Sequence, residues 1–264
     1  MSLLQALIFD VDGTLADTEE THRLAFNRAF TEAGLDWEWT PELYAELLTI
    51  SGGRERIRHY GRARGTPLSA PAAWADFIAE VHAAKTRHYG DLLKAGRLTL
   101  RPGVARLIDE ARRAGCVLGI ATSSTYGNLE ALLDQNLPPD WRSWFAAIET
   151  CDSVPEKKPS PAVYHAVLQR IGISPVCCAA FEDTVNGLRA ATAAGLLTVV
   201  TTHAFTRRHD FAGAALVLDH LGDPGQPFSV LAGDAGGRDH VTLALLERLI
   251  EARIVRLHAH GAAA

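Results

Sequence analysis

Two carboxylates, Asp10 and Asp12, sit one residue apart where the apolar run Leu7-Ile8-Phe9 gives way to Gly13. The glycine permits a tight turn, which lets both acids face one pocket. Carboxylates crowded at the end of a buried strand repel each other, so they require a cation or a shared proton. A hard divalent ion with oxygen ligands suits them. Three further groups follow apolar runs downstream: Thr122-Ser123-Ser124 after 117–121, Lys157-Lys158-Pro159 after 145–148, and Glu182-Asp183 after 177–181. Each has a plain reading by itself: a turn, a helix cap, a solvated charge run, an acidic loop. Together they supply what phosphoryl transfer needs, which is neutralised equatorial oxygens and two apical oxygens held in line. In that chemistry Asp10 attacks phosphorus. Asp12 serves the leaving alcohol as acid and the attacking water as base. A metal bridges Asp10, the Asp12 carbonyl and Asp183, with Glu182 beside it or also ligating. Thr122 and backbone N–H groups near Ser123 donate to phosphate oxygens, and Lys158 adds positive charge.

The elements that must carry these residues follow from periodicity. From 17 to 96 the pattern is helical throughout, with Asp17 or Thr18 as a cap, Gly34 as a stop, Trp37, Trp39 and Pro41 in a loop, and Ser69 capping a long helix. From 101 onwards strands and helices alternate: helices at 104–114, 128–136, 161–171 and 185–194, and strands at 117–121, 145–148, 177–181, 197–200 and, weakly, 216–218. That alternation predicts an α/β fold with a doubly wound parallel sheet. Such a sheet gathers its ligand-binding loops at the carboxyl ends of the strands. The predicted division is a core of 1–16 and 97–264 and an all-helical domain of 17–96. Within the core, 222–264 is a tail of two loops, 222–227 and 233–237, and a terminal helix carrying Leu243, Leu246, Leu249, Ile250, Ile254 and Leu257. That helix is expected to pack on the core, with a dimer contact as the alternative.

Composition excludes some classes. The net charge of −5 argues against nucleic-acid binding, which calls for a basic surface. No run approaches the ~20 apolar residues of a membrane span, and the N-terminus has no signal-peptide pattern. Cys116, Cys151, Cys177 and Cys178 form no Cys-x-x-Cys pair, so free thiols in a reducing, cytoplasmic setting are expected, or a plastid if a transit peptide was removed.

The motifs Asp10-Val11-Asp12-Gly13-Thr14, Thr122, Lys158-Pro159 and Glu182-Asp183, in that order, resemble the haloacid-dehalogenase-like phosphatase superfamily. The resemblance implies a Rossmann-like core, Mg²⁺, an aspartyl-phosphate on Asp10, and a helical cap that closes over the site. At finer grain the chain resembles the CbbY-like branch, xylulose-1,5-bisphosphate phosphatases that clear a Rubisco inhibitor. The supporting stretches are Asp17-Thr18-Glu19-Glu20-Thr21-His22, Tyr44-Ala45-Glu46-Leu47-Leu48, Gly52-Gly53 and His82-Ala83-Ala84-Lys85-Thr86. Carried over, Glu19 and His22 bind sugar hydroxyls or carbonyl, and Arg54 and Lys85 hold a distal phosphate. The turn at Gly52-Gly53 opens a helix, whose free N–H groups favour an anion, and Arg54 offers a fork-shaped donor. The branch usually has Thr and Lys where this chain has Ser51 and Arg54. The expected partner is a small phosphorylated sugar, and the expected state a monomer or a dimer. β-Phosphoglucomutase, a broad phosphatase such as phosphoglycolate phosphatase, and a non-catalytic sugar-phosphate sensor are the alternatives.

Overall fold

A computed structural model describes residues 2–65, 71–96 and 98–261. The apolar run before Asp10 forms β1 (Ala6–Phe9), and its neighbours are β2 (Val117–Ala121) and β4 (Cys178–Glu182), both parallel to it. β3 (Phe145–Glu149) flanks β2, and β5 (Leu197–Thr201), β6 (Leu216–Leu218) and β7 (Val230–Gly233) extend the other side. Among the described residues the sheet has seven strands in the order β3-β2-β1-β4-β5-β6-β7. The chain therefore leaves β1 for one side of the sheet and later returns to the other side, and such a switch point opens a crevice beyond β1.

Alternation along β1 splits the core between the two faces. Leu7 and Phe9 join Leu118, Ile120 and Phe181 on one face, with Phe9 stacked on Phe181 at 4.6 Å. Ala6 and Ile8 join Cys178 and Ala180 on the other. The first face is covered by α5 (Val104–Arg113), α6 (Tyr126–Asn136) and α9 (Leu243–Gly261). The second is covered by α7 (Ala162–Ile171) and α8 (Val185–Ala193). On that second face Gly119 leaves the room that Val167 fills, since a Cβ there would meet Val167 Cγ1 at 2.8 Å.

Between β1 and α5 lie α1 (Glu19–Glu32), α2 (Pro41–Leu47), α3 (Gly53–Ala63) and α4 (Pro71–Ala95), with no strand among the described residues. They share an aromatic core of Phe26, Phe30, Trp37, Trp39 and Tyr44, so the tryptophans expected in a loop are buried anchors. Phe205, from the loop after β5, joins this cluster edge-on to Tyr44. The insert leaves and returns side by side: Ala16 bridges Leu100, and Arg101 N donates to Leu15 O at 2.8 Å. The Arg101 guanidinium then donates to the carbonyls of Gly13, Thr202 and Asp219, tying this neck to the ends of β5 and β6.

Two sequence expectations need revision, and two others fall outside the described residues. Thr18 makes no side-chain cap for α1; its hydroxyl donates to Asp12 instead. Ser69, expected to cap α4, lies outside the described residues, as does the side chain of Leu257. The tail is more than loops and a helix, because Val230–Gly233 pairs antiparallel with β6 as an exposed edge strand. As expected, α9 packs on the core through Leu245, Leu246, Leu249 and Ile250. The four cysteines are free. Among the described residues no helix is long and apolar enough to cross a membrane.

Candidate active site

Register assembles the site. Phe9 is paired with Phe181 on one side and Ile120 on the other. The residues that follow, Asp10, Glu182-Asp183 and Thr122, must therefore emerge together at one edge of the sheet. Asp10 N donates to Phe181 O at 3.0 Å, continuing the ladder one residue past β1. The chain then turns at Gly13, at φ +80°, where a Cβ would collide with the Asp183 carboxylate. Only glycine lets the loop pass this close.

Lys158 is the electrostatic centre. Its ammonium, buried in the loop after β3, donates to Asp10 Oδ1 at 2.7 Å, Glu182 Oε1 at 2.6 Å and Ala121 O at 2.9 Å. Burial works against this charge, but Asp10 and Glu182 outweigh it and hold Lys158 protonated. Tyr164 on α7 also donates to Glu182 Oε1, at 2.5 Å. Glu182 is fully buried and is the one predicted site residue that does not reach the cavity.

Asp183 is positioned from the opposite side. His203 follows β5, and its Nδ1 accepts from Phe205 N at 3.4 Å. Its Nε2 therefore carries the proton and donates to Asp183 Oδ2 at 3.0 Å. Asp10, Glu182 and Asp183 offer oxygens that all lie within 4.8 Å of one another. Burial pushes Asp10 up to about 7 and Asp183 up to about 6. One ammonium and one imidazole leave this buried acid cluster short of positive charge. An all-oxygen, anionic donor set of this kind suits a hard divalent cation.

Asp12 faces a different set of partners, all from the helical insert. Thr18 Oγ1 donates to its Oδ1 at 2.7 Å, and His22 Nε2 lies 2.9 Å from the same oxygen. Lys85 on α4 donates to His22 Nδ1 at 2.7 Å, which leaves the His22 proton on Nε2, aimed at Asp12. His22 stacks on Tyr89 at 4.1 Å, which fixes the plane of the imidazole. Burial would raise Asp12, but His22 and Thr18 prevail and hold it well below the usual carboxylate range. Burial draws Lys85 down to about 8.

These groups open into one cavity of about 580 Å³ between the sheet edge and α1, α3 and α4. Asp10, Asp12, Lys158, Asp183, Thr122, Ser123 and Ser124 line its floor. Thr122 Oγ1 accepts from Ser124 N at 3.0 Å, leaving its hydroxyl proton to point elsewhere. Glu19, His22, Lys85, Gly52, Gly53 and Arg54 line the side of the insert. Glu19 accepts from Tyr44 OH at 2.8 Å. Lys85, expected at a distal phosphate, lines this cavity and lies buried against His22 and over the Phe26 and Tyr89 rings. Gly52, at φ +95°, has no room for a side chain beside Lys157. Sequence reasoning passed over His203, Tyr164 and the role of Thr18. His203 could have been found, because it too follows an apolar run that ends a strand.

A family model for haloacid dehalogenase-like hydrolases matches residues 4–195. The CbbY protein of Cupriavidus necator is 54% identical over 224 residues, covering 85% of this chain and 88% of its own. The crystal structure of a mutant CbbY from Rhodobacter sphaeroides in complex with xylulose-1,5-bisphosphate is 44% identical, with a TM-score of 0.76 over 82% of this chain and 94% of that one. A β-phosphoglucomutase from Clostridium difficile shares the fold, with a TM-score of 0.72 at 19% identity over 96% of this chain and 99% of that one.

Proposed function

The chain belongs to the haloacid dehalogenase-like hydrolase family and, within it, to the CbbY-like phosphatases; from that premise we propose that it is a Mg²⁺-dependent phosphatase acting on a doubly phosphorylated ketopentose, xylulose-1,5-bisphosphate. The reading rests on one observation: a buried Asp10 held by Lys158 and flanked by Asp183 opens onto the same cavity as Asp12.

In this reading Asp10 attacks phosphorus while the ester P–O bond breaks, and Asp12 gives its proton to the leaving alkoxide. Asp12 rests ionised, so it must enter turnover by taking up a proton. A phosphate dianion arriving beside it opposes its ionisation and favours that uptake. In the second half Asp12 takes the proton of the attacking water, and the P–O bond to Asp10 breaks to release phosphate. The hydrogen bond from His22 keeps Asp12 oriented through both transfers. Asp10, the Asp12 carbonyl and Asp183, with Glu182 in reach, would hold Mg²⁺. Bound there, the ion supplies the charge that screens carboxylate from phosphate. Lys158 bridges Asp10 and Glu182 and offsets their repulsion, and Thr122 with the N–H groups near Ser123 binds equatorial oxygens. The insert acts as the cap, and Arg54 with the Gly52-Gly53 turn faces the distal phosphate.

A phosphate-release panel tests this reading. Xylulose-1,5-bisphosphate should be turned over far faster than ribulose-1,5-bisphosphate, and only with Mg²⁺ present. Asp10→Asn should abolish release while circular dichroism stays unchanged. Conversion of β-glucose 1-phosphate to glucose 6-phosphate as the dominant activity would replace the phosphatase reading with a mutase.

A further inference from the structure

At the cavity mouth the cations are not equivalent. Arg54 is exposed, and it has no hydrogen-bond or ion-pair partner among the described residues. Lys157, from the loop after β3, is engaged: its Nζ lies 2.8 Å from Glu55 Oε2, on the residue next to Arg54. Both members of that pair line the cavity. The pair lies directly over the Gly52 backbone, because a Cβ at Gly52 would strike both Glu55 Oε2 and Lys157 Nζ. Arg54 and Lys157 share one corner of the cavity, since both line it and Lys157 is tied to the residue that follows Arg54. The other carboxylate in that corner, Asp152, is exposed and turned to the Cys151 thiol at 3.5 Å.

We propose that Glu55 competes with the distal anionic group of the substrate for Lys157, and that Lys157 and Arg54 together read that group once Glu55 yields. The inference rests on the bisphosphate reading above. Glu55 can yield cheaply, since its side chain is 37% exposed and that of Lys157 24%, and ion pairs of such exposure are weak. A phosphate accepting from an ammonium and a guanidinium makes stronger, charge-assisted hydrogen bonds. A singly phosphorylated sugar has nothing to displace the carboxylate with, so it meets a negative charge at the place where the bisphosphate gains two cations. Selectivity then comes from a repulsive element as well as an attractive one. A bond between the insert and the core that served only as a strut would give no such discrimination.

The experiment compares Glu55→Gln and Lys157→Gln with the unsubstituted enzyme. Phosphate release is measured at fixed ionic strength from xylulose-1,5-bisphosphate, xylulose 1-phosphate and xylulose 5-phosphate. Either variant removes the ion pair, so a strut predicts shifts of the same sign in both. Competition predicts opposite signs. For the bisphosphate, KM should fall about threefold in Glu55→Gln and rise about tenfold in Lys157→Gln. The preference for bisphosphate over monophosphate should move the same two ways. Lys157→Arg, which keeps the charge, should restore the bisphosphate KM to within about twofold of the unsubstituted value. Shifts of the same sign, or Lys157→Arg failing to rescue, would overturn the inference alone. Absence of bisphosphate turnover in the unsubstituted enzyme would remove the functional reading and the inference with it.

Discussion

Asp12 receives both of its side-chain hydrogen bonds from the helical insert, through Thr18 and His22. His22→Ala should therefore release Asp12 towards an ordinary carboxylate pKa and lower kcat by more than about tenfold. The limb of the pH–rate profile that belongs to Asp12 should move to higher pH. His22→Gln, whose amide can still donate, should recover part of both effects, and a pH profile unchanged in His22→Ala would argue against the pairing. At this scale Asp10, Glu182 and Asp183 were legible because each lies at or just beyond a strand end, and Lys158 because its Lys-Lys-Pro run stands in the loop after β3. Thr18 was misread because a threonine before a helix usually caps it from an extended backbone, whereas here its backbone is already helical, at φ −86° and ψ −12°, and its hydroxyl is turned to donate to the Asp12 carboxylate. The strand-end position of His203 was legible, but the pairings that Tyr164 and His203 make were not. Their partners lie 18 and 20 residues away in sequence, so only the stacking of successive β-α units brings them together.

Helix α8 shows how an element holds chemistry it does not itself perform. Its first turn packs against Glu182 so closely that a Cβ on Gly187 would overlap the carboxylate. Gly187→Ala should cost about 1–3 kcal/mol of stability through overpacking. It should also lower kcat, because Glu182 must move and take Lys158 with it. A urea melt and a single kcat measurement check both effects. Gly34→Ala is the useful contrast, since nothing lies within 4 Å of that site and only its φ of +69° resists a side chain. It should cost about 1 kcal/mol and leave kcat alone. Helix and strand limits followed from periodicity within one to three residues along most of the chain. β7 escaped notice because its four residues, Val230-Leu231-Ala232-Gly233, are all exposed and show no alternation of apolar and polar side chains. It is a strand only because β6 is beside it.

For the whole molecule, the acid cluster should couple cation binding to stability. Without a cation, burial holds Asp10 near 7 and Asp183 near 6, while in the unfolded chain both groups lose their protons near pH ~4. Between those limits the folded state binds more protons than the unfolded one. Their contribution to stability is thus complete below about pH 4 and is lost as the pH rises through 6 to 7. In EDTA the protein should melt several degrees lower at about pH 7.5 than at about pH 5.5, and MgCl₂ should raise Tm most at the higher pH. Scanning fluorimetry over pH, with and without Mg²⁺, would reveal the opposite slope if the cluster were a plain salt-bridge network. The alternating pattern made the layered architecture legible, but the tail's attachment was not, since Glu247 holds the backbone N–H groups of Leu3 and Leu4 from the far end of the chain. The neck at Ala16 and Leu100 carries a consequence for evolution. Because the two crossings touch, whatever is spliced between them closes on itself without altering any strand. The core can keep Asp10, Lys158, Glu182 and Asp183 fixed while the spliced segment is traded for another that again supplies Asp12 with its donors, and new substrates can be acquired by exchanging one removable part.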